Sequence, residues 1–156
     1  MSFEHLFHRR LHFRDYGYGY ASGGETAAAT NVIDKFPFAS DTNATDVGNL
    51  TVARSHVAGQ SSSTYGYTSG GYTGAYTNVI DKFPFASDTN ATDVGNLTVA
   101  RRYAAGQSSF TYGYASGGET AAVTNVIDKF PFASDTNATD VGDLTVARSS
   151  AAGQSS

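Results

Sequence analysis

A chain of 156 residues with 40% hydrophobic and 13% aromatic side chains carries enough apolar material for one packed domain, which excludes an intrinsically disordered protein. A formal net charge of -4 gives no basic footprint for nucleic acid or an anionic membrane surface, and the lack of Cys excludes disulfides, thiolate metal sites and cysteine nucleophiles. With 17 Gly, 10 Tyr, one Met and three Pro, the composition favours short strands and turns, so the expected fold class is all-β.

Residues 1–15 read as a separate leader that matches nothing else in the chain. The stretch has neither the apolar run nor the cleavage site of a signal peptide, and no segment reaches the roughly 20 apolar residues of a membrane span. The expected location is therefore the cytoplasm or a virion. Arg9, Arg10, Arg14, His5, His8 and His12 make this segment locally basic, which suits a solvated or docking arm better than a specific site.

From residue 16 onward the chain repeats. TNVIDKFPFASDTNATDVGNLTVAR spans Thr30 to Arg54, returns unchanged at Thr77 to Arg101, and returns at Thr124 to Arg148 with Asp143 in place of Asn49 and Asn96. Asn31, Asn78 and Asn125 fix the period at 47 residues, in the range where one supersecondary unit stacks on copies of itself. In the central unit, Arg54 to Ser62 reads as a first strand of small residues, suited to a crowded inner position. Thr64 to Thr68 alternates aromatic and small residues as a second strand, stopped by Gly70-Gly71. Thr77 to Phe85 reads as a third strand, with Pro84 tolerated near its end. A loop of turn formers follows at Ser87 to Asp93, and a fourth strand is expected at Leu97 to Arg101.

Four short strands in a unit of this length are the pattern of a β-propeller blade. The layout resembles the kelch repeat, with its small-residue first strand, aromatic second strand and Gly-Gly stop. The doublets are Gly23-Gly24, Gly70-Gly71 and Gly117-Gly118, and Arg54, Arg101 and Arg148 mark the blade boundaries. The resemblance covers residues 16–156 and departs in having no Trp, since Val47, Val94 and Val141 stand near where one is common. It implies three four-stranded blades per chain, a half-propeller over 16–156.

The phase of the copies adds a partner to this expectation. Ala151-Ala152-Gly153-Gln154-Ser155-Ser156 repeats Ala104 to Ser109, a first strand with no second strand after it, whereas the first unit starts at its second strand. Residues 147–156 are therefore expected to complete a blade of another copy. Three blades do not form a ring, since propellers begin at four. A homodimer of six blades is expected, with a trimer as the alternative.

Chemistry is sparse. Within the repeats the single His is His56, whose counterparts are Tyr103 and Ser150, so it belongs to no repeated constellation and reads as a surface or loop residue. The loops at Asp41 to Asp46, Asp88 to Asp93 and Asp135 to Asp140 gather oxygen ligands but lack the central Gly and terminal Glu of a calcium loop, and turn formation accounts for them. The N-x-T triplets at Asn43, Asn49, Asn90, Asn96 and Asn137 read the same way. Asp34, Lys35, Asp81, Lys82, Asp128 and Lys129 are candidates for repeated exposed ion pairs between blades, which contribute little. The units differ at Ser55 to Val57, Arg102 to Ala104 and Ser149 to Ala151, and in the loop after Gly-Gly, where Tyr72 and Tyr76 are the candidate ligand contacts. The expected function is a non-enzymatic, self-assembling propeller scaffold without cofactor, metal or catalytic residues; the alternative is a carbohydrate-binding propeller holding a glycan or a protein ligand.

Overall fold

Aromatic residues alternating with small ones in YGYAS and YGYTS, and β-branched and aromatic residues in VIDKFP, favour extended backbone. Each copy accordingly folds as strands in the computed structural model, which describes residues 17–156. The first unit forms β1 (Tyr18–Ser22), β2 (Val32–Pro37) and β3 (Thr45–Asn49). The second forms β4 (Ala58–Ser61), β5 (Tyr65–Ser69), β6 (Val79–Pro84) and β7 (Thr92–Asn96). The third forms β8 (Ala105–Ser108), β9 (Tyr112–Ser116), β10 (Val126–Pro131) and β11 (Thr139–Asp143). These strands make one three-stranded and two four-stranded sheets, each an antiparallel meander in chain order. There is no helix among the described residues, so the protein is all-β and built of tandem units. The leader expected over residues 1–15 lies outside the described residues.

Two strand expectations are corrected. The fourth strand is Thr92–Asn96, which begins in the last two residues of the expected loop and ends before the expected strand, and it pairs with β6 through a register shift between Ile80 and Asp81. Leu97 to Arg101 leaves the sheet because its backbone bonds elsewhere: Leu97 N donates to Asn78 O, Thr98 N to the Asp128 carboxylate and Arg101 N to Thr77 O. The first strand is shorter than Arg54 to Ser62. His56 takes a left-handed backbone with φ 57°, as do Tyr103 and Ser150, so extended structure begins only at Ala58.

The core lies between successive sheets. Ile33 and Leu50 of the first unit pack on Phe83 and Ala91 of the second, and Tyr67, Ile80 and Leu97 of the second pack on Ala115, Phe130 and Ala138 of the third. Burial pushes the Tyr67 phenol up to about 12. The Gly-Gly doublet closes each unit on its own end. Gly70 and Gly71 have φ of 64° and 116°, and Gly71 N donates to Arg101 O at 2.9 Å, as Gly24 does to Arg54 and Gly118 to Arg148. A Cβ on Gly70 would stand 2.6 Å from that Arg101 oxygen, so the turn requires glycine.

The short strands β4 and β8, each at one edge of its sheet, run side by side. A Cβ on Gly106 would overlap the carbonyl oxygen of Gly59, and one on Gly153 would overlap that of Gly106, so the three backbones meet at glycine. Ser61 N donates to Ser108 Oγ and Ser108 N to Ser155 Oγ, both at 2.9 Å. Ala151 to Ser156, without forming a strand, thus lie beside β8 as β8 lies beside β4. The completing strand expected over 147–156 is not formed within the chain, because no second strand stands beside this segment among the described residues.

Candidate functional site

Each junction between units is locked by a buried ion pair. Arg54 and Arg101, fully buried, place Nη2 at 3.2 Å from Asp81 Oδ2 and 3.1 Å from Asp128 Oδ2 in the next sheet. The same nitrogen donates to Thr68 O or Ala115 O at 2.9 Å. Thr51 and Thr98 hold the carboxylates through backbone amide and hydroxyl, at 2.7 to 2.9 Å. Burial pulls both arginines below their ordinary pKa, and the facing carboxylates oppose that shift. The expectation of exposed Asp–Lys pairs is therefore corrected: Asp81 and Asp128 are buried partners of the boundary arginines Arg54 and Arg101. The lysines pair across the junction with the loops instead, Lys35 with Asp88 at 2.9 Å and Lys82 with Asp135.

Those loop oxygens are already engaged. Asn90 Oδ1 accepts from the Asn49 amide at 3.0 Å and Asp93 Oδ1 from the Gly95 amide at 3.1 Å, so the Asp/Asn stretches serve as turns and inter-unit contacts. No three acidic or His side chains gather at metal-binding distance among the described residues.

The positions at which the units differ come together in space. Tyr72 bridges to Ser55 and to Tyr76, and Arg102 bridges to Glu119, which joins the loop after Gly-Gly to the segment before each inner strand. The Arg102 guanidinium lies 4.9 Å from the Tyr72 ring centre, 5.5 Å from Tyr76 and 5.0 Å from Tyr103, and pairs with Glu119 at 2.9 Å. That bond to Glu119 pushes the Arg102 pKa up. Tyr72 and Tyr76 thus pack on a cation supplied by the next unit. His56 shares a hydrogen bond with Ser55 Oγ at 2.8 Å and stands 3.7 Å from Glu25, as a contact between units.

The two ends of the array leave these same features unmatched. Phe36 is 38% exposed where its copies Phe83 and Phe130 are 4% and 2% exposed, and Arg148 is exposed where Arg54 and Arg101 are fully buried. Asp34 has no basic partner and Arg148 no acidic one among the described residues. Beside β1 runs a groove of about 480 Å³ lined by Tyr18, Tyr20, Ser22, Gln60, Tyr67 and Ser155. In the second sheet the corresponding space holds β4, whose Gln60 donates to Ser69 Oγ at 2.9 Å and to Tyr114 O at 2.8 Å.

The sequence reading found the Gly-Gly doublets and the boundary arginines but not their partners. Asp81 and Asp128 stood out as ion-pair candidates but were matched with the neighbouring lysines, and Thr51, Thr98 and Gln60 carried no distinguishing signal, because near-identical copying repeats every residue alike. The constant offset of each Asp from the Arg of the preceding unit, opposite in charge, was the one clue available. Neither a protein-family model nor a curated protein matches the chain, so its geometry stands as the basis for a functional reading.

Proposed function

We propose that the chain is a non-enzymatic, self-associating scaffold: a half β-propeller of kelch-like blades that closes with a second copy into a six-bladed ring. One observation carries this reading. Among the described residues the first sheet has an open edge at β1, while Ala152 to Ser155 follow the path of β4 and β8 with no sheet to join. An open edge exposes ladder donors and acceptors, and a strand of matching sequence from another copy satisfies both deficits at once. The register follows from β4 on β5, where Ala58 faces Ser69 and Ser61 faces Gly66. By the same offsets Ala152 faces Ser22 and Ser155 faces Gly19 of the second copy. Side chains such as Gln154 then fill the groove beside Tyr20 as Gln60 does beside Tyr67.

Light scattering tests the reading. The expected solution mass is twice the chain mass of 16.4 kDa, and three times that mass would indicate a nine-bladed trimer. A monomer at micromolar concentration would refute self-association.

A further inference from the structure

We infer that the junction between copies is specified by an ion pair made in trans, in which Arg148 of one copy enters the first sheet of the other and binds Asp34. The inference rests on the ring reading and adds to it the residues that choose the partner surface. Inside the chain the junction is built twice with one set of offsets. Arg54 reaches Asp81 and Thr68 O, with Thr51 on the same carboxylate; Arg101 reaches Asp128 and Ala115 O, with Thr98 on its carboxylate. Carried one unit further, the donors are Arg148 and Thr145, and the acceptors are Asp34 and the carbonyl of Ala21.

Each half of that constellation is present and, among the described residues, unmatched. Arg148 is exposed on the terminal unit, and Asp34 is partly buried on the open face of the first sheet, above Phe36 and Phe38, which are 38% and 54% exposed. The outer loops agree in charge, since Lys129 falls opposite Asp41 as Lys35 falls opposite Asp88. The occupant of the first sheet's open face is therefore the terminal unit of a second copy. An arbitrary strand donor would fill the groove but leave Asp34 in an apolar contact without its cation, which is unfavourable.

Charge reversal in full-length protein tests the pairing. Asp34→Arg and Arg148→Asp each place like charges at both junctions of a homodimer, so each variant alone is expected to dissociate at concentrations roughly a hundredfold or more above wild type. Mixed in equal amounts they are expected to assemble again, because the mixed dimer has one native junction and one of opposite charges. Native mass spectrometry reads the mixed species, and circular dichroism checks that each variant keeps wild-type strand content. Single variants that assemble like wild type, or folded variants that stay apart when mixed, would overturn the trans pair and leave the ring reading standing. A monomeric wild type would instead overturn the ring reading itself.

Discussion

Asp128 and Asp135 lie in one copied stretch, yet the structure gives their charges opposite weight. Asp128 is fully buried against Arg101, and making it neutral leaves a guanidinium in the core with only carbonyl partners. Asp128→Asn is therefore expected to cost about 3–5 kcal/mol, the usual loss when one member of a buried pair is removed. Asp135 meets Lys82 with a side chain 55% exposed, and Asp135→Asn should change stability by no more than about 1 kcal/mol. Urea unfolding of the two variants decides the matter, and equal losses would contradict the burial argument. Tyr67 gives a second residue-level expectation. Its phenol is raised to about 12 by burial, so the folded state holds a proton that the unfolded chain releases near pH 10. The stabilisation is complete below pH 10 and is lost as pH rises toward 12, by roughly 2–3 kcal/mol. Tyr67→Phe should flatten this alkaline decline in urea midpoint; an unchanged slope would refute the assignment.

At the scale of the element, strands whose pattern and pairing agree were legible, and the others were not. Tyr65–Ser69 and Val79–Pro84 match the expected second and third strands to within a few residues, because alternation and β-branching act on the backbone that carries them. The fourth strand was misplaced because Leu-Thr-Val has strong strand preference while Thr-Asp-Val-Gly-Asn has little, and partners decided the outcome. The Leu97 to Arg101 amides find acceptors in the Asn78 turn and Asp128, which leaves Thr92–Asn96 for the ladder. Asp93 supports that weak strand by accepting from the Gly95 amide. The candidate site divides in the same way. The turn glycines announce themselves by composition, whereas a buried Asp–Arg pair between units depends on how sheets stack, which no local pattern encodes. Tyr72 and Tyr76 were legible as positions of difference, but their packing on Arg102 required the neighbouring unit to be in place.

For the whole molecule, the row of inner glycines separates folding from assembly. Within the chain Gly106 has no room for a side chain, since a Cβ would overlap Gly59 O and lie 3.0 Å from Gly59 N. Gly106→Ala must push two backbones apart and is expected to destabilise the fold by about 1–3 kcal/mol. Gly59 would have the same surroundings in the proposed ring but does not in the chain, where a Cβ meets nothing within 4 Å among the described residues. In the proposed ring the missing neighbour is the Gly153 carbonyl of the second copy, which abuts Gly59 as Gly106 abuts Gly153. Gly59→Ala should therefore leave the urea midpoint of dissociated protein nearly unchanged and weaken association strongly, while Gly106→Ala lowers the midpoint of dissociated protein. Sedimentation measured beside unfolding reads both effects. A Gly59→Ala protein that assembles at the wild-type concentration would show that no second inner strand lies against Gly59, and the closure drawn from the open edge of β1 would fall with it.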